Sequence, residues 1–443
     1  MAAPGTNSPS VRWLFLDLNS YFASVEQELR PELRDRPLIV VPVMADTTCA
    51  IAASYEAKVY GVKTGTMVGE AKRMCPGLTL VEARHELYVQ YHHKIIEAVE
   101  RCVPVSAVMS IDEMAASLMG REKSLVTALD LARRVKASIR EHAGKTLRCS
   151  IGLAPNRYLA KIASDMEKPD GLVALTPDIL EGALSGLELR DLPGVGARME
   201  RRLHQGGIRK MPQLLALNRE QMAHVWGGVG GEKLWYWLRG EDFNDAELEH
   251  QKSISHSHVL SPDLRTVEGC YAVAHKLLHK ASMRLRTAGL WATSVSLSLR
   301  FVVPKEQAKR QHFSGVLHAG WSRGAPVIEC QDSQTLIEAF TKLWAQRPQG
   351  PAYQKPFQVG VWLGDLVPDH LHTLNLFAGL ETESRRTRLT STMDALNHKY
   401  GLDTLMPASM LLAKAAAPTR IAFTSIPDLF EDSPSGPARP ARS

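Results

Sequence analysis

Residues 11–26 read VRWLFLDLNSYFASVE. The run 12–18, RWLFLDL, is short and apolar and ends beside an acid, Asp17, the pattern of a buried strand that stops at something polar. A second stretch, SIDEMAAS at residues 110–117, sets Asp112 and Glu113 side by side among small and apolar residues. An ionised carboxylate buried without a partner costs roughly several kcal/mol. No Lys or Arg is next to these acids in sequence, so positive charge from elsewhere is expected. Adjacent residues in a straight strand point to opposite faces. Asp112 and Glu113 therefore share a site only if the chain turns, and the small residues after Met114 are read as permitting the turn. Converging carboxylates form a hard-oxygen site suited to Mg²⁺, and two such ions about 3.5–4 Å apart suit phosphoryl transfer. Spacing alone leaves open three solvated acids at strand ends.

Working outward, 37–43 (PLIVVPV), 106–112 (SAVMSID) and 147–154 (LRCSIGLA) read as further strands. Helical spacing marks 85–103, 124–144 and 156–167. This order predicts an α+β sheet layer with helices on one face. Past residue 171 the composition shifts, and Leu-Pro-Gly-Val-Gly at 192–196 lies between two helical patterns. That is a helix–hairpin–helix signature. Gly194 and Gly196 let backbone N–H groups approach a phosphate, and Arg198, Arg201 and Arg202 follow. Residues 240–253 read as a polar tether, then a long helix (267–288) and alternating strands (291–303, 357–366) form a separate α/β module.

With 443 residues, two to four domains are expected. The net charge of +6 is concentrated, since residues 251–370 hold 14 Lys and Arg against 8 Asp and Glu while the remainder balances. A basic module on a near-neutral body fits a polyanionic partner as well as a merely soluble domain. No apolar run approaches the roughly 18 residues of a membrane span, so no membrane is expected. The opening MAAPGTNSPS lacks the basic head and apolar core of a secretory signal. Six scattered cysteines without a CxxC pair favour a reducing compartment.

The stretches DLNSYFASVE, ASYEAKVYGVKTGT, SIDE, SIGLAPNRYLAKIASDMEKPDG and LPGVG occur in an order and spacing that resembles the Y-family translesion DNA polymerases, of the polymerase IV and polymerase V catalytic-subunit type. The resemblance covers about residues 12–245 and continues more weakly beyond. It implies an α+β multidomain right-hand polymerase. The ferredoxin-like palm would be 11–22 with 78–170, the small fingers 23–77, and the helix–hairpin–helix thumb 171–240. A linker (241–253) and an α/β little finger (254–370) would follow, with tails at 1–10 and 371–443. By the same resemblance Asp17, Asp112 and Glu113 are the metal-binding acids, with the Leu18 carbonyl as a backbone ligand to one of two Mg²⁺ ions. Phe22 matches the steric gate that excludes a ribose 2′-OH; Tyr55, Lys58 and Lys168 match the groups touching the incoming triphosphate. Gly194, Gly196 and Arg198 fall on the DNA backbone. Asn19 stands where many members carry a second Asp, and Lys58 where Arg is usual.

The implied reaction is low-fidelity, template-directed nucleotidyl transfer from a dNTP to a primer 3′-OH, on primer–template DNA, in the cytoplasm and associated with the nucleoid. The tail, with TLNLF at 373–377 and MDALNHKYGLDTL beyond it, resembles the end of the polymerase V catalytic subunit. Leu374, Leu376 and Phe377 are accordingly expected to bind the sliding clamp, with IPDLF at 426–430 a second candidate, and accessory subunits are possible partners. The rival readings are a clamp-bound, catalytically weak or inactive family scaffold and a repair factor that binds DNA through the helix–hairpin–helix.

Overall fold

A computed structural model describes residues 10–243, 253–302, 318–350, 353–373, 380–401 and 404–414. The chain divides into two units, the first mainly Met1–Val41 with Cys49–Glu247, the second mainly Leu248–Arg420.

The first unit begins β1 (Trp13–Leu18), α1 (Tyr21–Leu29), β2 (Leu38–Val41), β3 (Ala52–Ala53), α2 (Tyr55–Lys58), α3 (Val68–Met74) and β4 (Thr79–Glu82). It continues α4 (His85–Glu100), β5 (Ala107–Val108), β6 (Glu113–Ser117), α5 (Leu125–His142), β7 (Cys149–Ala154), α6 (Arg157–Met166) and β8 (Leu172–Ala174). β1 is the centre of a five-stranded sheet ordered β5-β6-β1-β7-β8, antiparallel except for the β7–β8 pair.

Helices cover this sheet on both faces rather than the one expected. Phe15 and Ala115 share a core with Leu159, Ala160, Ile162 and Ala163 of α6. Leu14, Leu16 and Leu18 alternate to the other face and are fully buried there. On that side α4 and α5 pack together, joined by Ser138 Oγ donating to the Ala98 carbonyl at 2.7 Å, and α5 meets β7 and β8. Burying each such Leu or Phe contributes roughly 1.5–3 kcal/mol.

The strand expected over 106–112 is mostly a turn. Only Ala107–Val108 pair as a strand, and the N–H groups of Met109 and Ser110 both donate to the Glu113 carbonyl. Ser110 Oγ donates to Asp112 Oδ1, a local side-chain bond that competes with ladder formation. The turn thus includes Asp112 and precedes Glu113. The small residues Ala115 and Ala116 do not make it; they are buried within β6.

β2, β3 and β4 form a separate three-stranded sheet. Its core is small, with Ala50, Ala53, Ala57 and Ala71 packed against Ile39, Val62 and Val68. Downstream come α7 (Leu180–Ser185), α8 (Ala197–Gln205), α9 (Met211–Leu215), α10 (Arg219–Trp226) and α11 (Val229–Trp237). Their buried Leu184, Leu203, Met222 and Leu234 join the α6 core.

The second unit runs β9 (Ser253–Val259), α12 (Val267–Thr287), β10 (Leu290–Val302), β11 (His318–Cys330), α13 (Ser333–Ala345), β12 (Pro356–Gly364) and β13 (Val367–Pro368). The sheet order is β11-β10-β12-β9, all antiparallel, with α12 and α13 packed on it. Part of the stretch read as a tail is folded here. α14 (Leu380–Tyr400) is tied to α12 by Arg286, whose guanidinium donates to both oxygens of Asp394 at 2.5 and 2.9 Å. Residues Ala408–Ala413 then lie on α12, with Met410 and Ala413 buried.

Candidate active site

β1 and β6 pair antiparallel with Asp17 opposite Glu113. Opposed side chains in such a pair share a face. Asp17 lies two residues beyond Phe15, so it faces α6 at the end of the sheet. Asp112 comes from the bend that opens β6, and its carbonyl accepts the Leu18 N–H at 2.8 Å, clipping the bend to the end of β1. The chain leaves β1 through Ser20, at φ 51°, a left-handed conformation uncommon for a side-chain-bearing residue. That sharp exit starts α1 at Tyr21, and the Phe22 ring that follows stacks on Tyr88 of α4, with centroids 4.3 Å apart.

The expected positive charge comes from α6 and the loop after it. Lys161 Nζ lies 2.5 Å from Asp17 Oδ2 and 2.7 Å from Glu113 Oε1. Lys168 Nζ lies 2.7 Å from Asp17 Oδ1. Asp165 bridges the two lysines, at 3.2 Å from Lys161 and 2.7 Å from Lys168. Both oxygens of Asp17, which is 6 % exposed, are therefore held by ammonium groups. Burial pulls the Lys161 pKa down, but Asp17, Asp165 and Glu113 together more than offset it, and the ammonium is held well above the usual lysine range. Lys168 is likewise raised, Asp17 and Asp165 outweighing its burial. Burial raises Asp112, with Ser110 opposing and the Asp17 charge adding. Burial also raises Glu113, and Lys161 only partly counters it.

Tyr55 and Lys58 of α2 feel the charges of Asp17 and Lys168, with Lys58 Nζ 4.1 Å from the Tyr55 ring centroid. Burial raises the Tyr55 pKa, Lys168 lowers it, and Asp17 raises it. Burial lowers that of Lys58, the like charge of Lys168 adds, and Asp17 opposes. The structure thus gathers Asp17, Asp112, Glu113, Lys168, Tyr55 and Lys58 into one electrostatic neighbourhood. The 192–196 turn also borders it, because one cleft is lined by Lys161, Asp165, Leu192, Gly194 and Gly196. Gly194 has φ +92°, Gly196 precedes the first turn of α8, and Arg198 is exposed on that turn.

The impB/mucB/samB family matches residues 16–165, its C-terminal domain 251–376, and the DNA polymerase-iota thumb domain 190–242. DNA polymerase IV of Moorella thermoacetica is 35% identical over 393 residues, covering 88% of this chain and 93% of that protein. The chain belongs to the Y family of translesion DNA polymerases. DNA polymerase IV of Pelotomaculum thermopropionicum is 30% identical, covering 90% and 95%. A chimera of the Y-family polymerases Dbh and Dpo4 shares the fold, with TM-score 0.64, 22% identity, and coverage of 80% of this chain and 99% of the other. An insertion ternary complex of Dbh DNA polymerase superposes with TM-score 0.52, 22% identity and the same coverage. This Y-family member is therefore a DNA-directed DNA polymerase that requires a divalent cation and takes DNA and deoxynucleotides.

Two members of the neighbourhood, Lys161 and Asp165, escaped the sequence reading, as did the structural role of Asn19. Lys161 and Asp165 fall at i and i+4 of α6, a spacing that a solvated helix face shows equally often. Asn19, 3 % exposed, accepts the Asp170 N–H at 2.7 Å and donates to Ser150 Oγ at 3.1 Å, and so pins the loop that carries Lys168. The peptide containing Leu374, Leu376 and Phe377, and the second one at 426–430, lie outside the described residues. No helix among the described residues is long and apolar enough to cross a membrane.

Proposed function

We propose that the enzyme copies damaged or stalled templates by nucleotidyl transfer from a dNTP to the primer 3′-OH, with two Mg²⁺ ions held by Asp17, Asp112, Glu113 and the Leu18 carbonyl. The carrying observation is the opposition of Asp17 and Glu113 at the sheet end, with Asp112 clipped beside them. The donor set fits, since every donor is a hard oxygen and a cation, the Lys161 ammonium, already spans two of the acids. Among the described residues no three acidic, His or Cys side chains close around a point, so the carboxylates must turn from the lysines to take an ion. When bound, the ions supply positive charge to the reacting phosphate and the attacking oxygen.

The chain's own residues do the rest. Phe22 is the steric gate against a ribose 2′-OH. Tyr55, Lys58 and Lys168 hold the triphosphate, and the positive charge of the two lysines offsets the negative charge that builds on the leaving pyrophosphate. Gly194, Gly196 and Arg198 bind the DNA backbone without reading sequence. The light core of the β2–β4 sheet, mostly Ala and Val, presses weakly on the nascent pair and makes copying error-prone. Leu374, Leu376 and Phe377 bind the sliding clamp, accessory subunits join the complex, and the work is done in the cytoplasm at the nucleoid.

Primer extension by the full chain with Mg²⁺ tests the reading. Asp112→Ala and Glu113→Ala are each expected to lower extension at least about 10³-fold while leaving DNA binding within about threefold. Equal, minimal extension by wild type and both variants would favour the clamp-bound scaffold instead. Tight DNA binding indifferent to deoxynucleotides would favour the repair factor.

A further inference from the structure

The first turn of α6 holds the helices that follow the central sheet at two places. Asn156 caps α6, its Oδ1 accepting the Leu159 N–H at 2.9 Å. Its Nδ2 donates to the Trp237 and Glu241 carbonyls, at 2.8 and 3.0 Å, where α11 ends. Tyr158 stacks its ring on Trp237, with centroids 5.1 Å apart and planes at 22°. Its hydroxyl donates to the Pro193 carbonyl at 3.0 Å, in the middle of the 192–196 turn. Burial raises the Tyr158 pKa, so the hydroxyl keeps its proton.

That carbonyl belongs to the peptide on which the shape of the turn depends. The Val195 N–H donates to the Leu192 carbonyl at 3.0 Å, closing a four-residue turn with Pro193 second and Gly194 third, at φ +92°. These are the marks of a type II turn, which differs from type I by a flip of its central peptide, here Pro193–Gly194. Leu192 and Val195 are buried and fix the ends of the turn. Apolar packing does not choose which way the central peptide points. In a planar trans peptide the C=O and N–H point in opposite directions. With the Pro193 oxygen held on Tyr158, the Gly194 N–H is turned away from that ring. It meets no acceptor among the described residues, and Gly194 lines the cleft that Lys161 also lines. The bond to the carbonyl also polarises the peptide and makes the N–H a stronger donor.

We propose that Tyr158 is a positioning residue for the primer–template: its hydroxyl locks the Pro193–Gly194 peptide so that the Gly194 N–H is presented to a DNA phosphate. The inference rests on the 192–196 turn being a contact to the DNA backbone. α6 also sets the distance of that contact from the acids. Tyr158 stands one turn before Lys161, whose ammonium holds Asp17 and Glu113. A ring without the hydroxyl still packs on Trp237 but leaves the peptide free to flip, and the flip turns the N–H from the phosphate.

The test is equilibrium binding of labelled primer–template DNA to the full chain over a range of salt, with KM for dNTP measured alongside. Tyr158→Phe keeps the ring on Trp237 and is expected to raise Kd about fivefold, the contribution of one hydrogen bond. KM for dNTP is expected to stay within about twofold of wild type. An N–H carries no net charge, so the slope of log Kd against log salt should not change. Arg198→Ala is the control for the contact, since removing a cation from a phosphate lowers that slope by about 0.9. Gly194→Ala strains a position at φ +92° and should also weaken binding. Adding Tyr158→Phe to it should cost little more, because both act through one peptide. If Arg198→Ala and Gly194→Ala weaken binding and Tyr158→Phe does not, the turn stands as a DNA contact and the positioning role is overturned. A fall in salt slope with Tyr158→Phe, or a rise in KM for dNTP as large as that in Kd, also overturns it, because either marks a merely structural residue. Full additivity of Tyr158→Phe and Gly194→Ala overturns it too. If neither Arg198→Ala nor Gly194→Ala changes Kd, the DNA-backbone assignment fails and takes this inference with it.

Discussion

Asp17 and Glu113, cross-strand partners at the end of the central sheet, are both held by the one ammonium of Lys161, at 2.5 and 2.7 Å. The pairing places the acids, and Lys161 together with Lys168 offsets part of the negative charge of Asp17, Glu113 and Asp165 before any ion or nucleotide arrives. A buried acid pair without that lysine would repel itself and lose solvation.

Lys161→Met is expected to make stability depend on the cation. In chelator the variant should lose about 2 kcal/mol, below the figure for a fully buried pair because the lysine keeps some water contact. That corresponds to a fall in Tm of roughly 5 °C, and Mg²⁺ should recover most of it. Differential scanning calorimetry with and without Mg²⁺ checks this, and a variant whose Tm deficit is the same in both conditions would contradict it.

Asn19→Ala is expected to act on nucleotide affinity through Lys168. The lost bonds run to the Asp170 N–H and to Ser150 Oγ, and Ser150 Oγ also donates to the Glu167 carbonyl and accepts the Gly171 N–H. Leaving buried donors unpaired costs about 1–3 kcal/mol. Steady-state kinetics should show KM for dNTP rising about five-fold with kcat changed less. A kcat effect alone would place the role of Asn19 elsewhere.

His92 gives the first unit an acid limb. Burial holds its pKa down to about 4, and its Nδ1 bonds the Ile111 carbonyl at 2.8 Å, next to Asp112. The unfolded chain takes up this proton near the ordinary histidine pKa of about 6.5, and the folded chain resists it until about pH 4. Stability from this group is complete above pH 6.5 and is lost as pH falls from there to about 4, by about 3 kcal/mol at most. His256 and His275, also held down to about 4 by burial, act in the same direction in the second unit. His92→Gln should therefore flatten only part of the slope of Tm against pH between 4 and 6.5, and an unchanged slope would refute the assignment.

Gly152 sets the height of α6 over the sheet. A Cβ there would lie 2.0 Å from the Ala160 carbonyl oxygen and 2.5 Å from the Ser164 nitrogen, both backbone atoms. Gly152→Ala must lift the helix and with it Lys161. Overpacking of this kind costs about 1–3 kcal/mol or more. Urea unfolding should show the loss, and a midpoint equal to wild type would mean that the helix relaxes freely.

Much of this site was legible before the fold was known. Asp17 closes an apolar run, and Asp112 and Glu113 stand together, so their need for positive charge was evident from sequence. The source of that charge was not, because Lys161 sits at ordinary helical spacing and only the register of α6 over β1 aims it at Asp17. The turn at 109–112 was misplaced because Ala107, Val108 and Met109 look like a strand, while the Ser110–Asp112 bond that bends the chain leaves no periodic trace. The folding of α14 back onto the second unit rests on pairings that no local pattern announces, Arg286 with Asp394 and Arg386 with Thr335 and Glu338.

The lysine-held acids also bear on how the protein endures scarcity. Deprived of its divalent cation, this polymerase would stand idle yet folded, Asp17 and Glu113 guarded by its own lysines. Synthesis could resume when the ion returned, without a fresh round of translation.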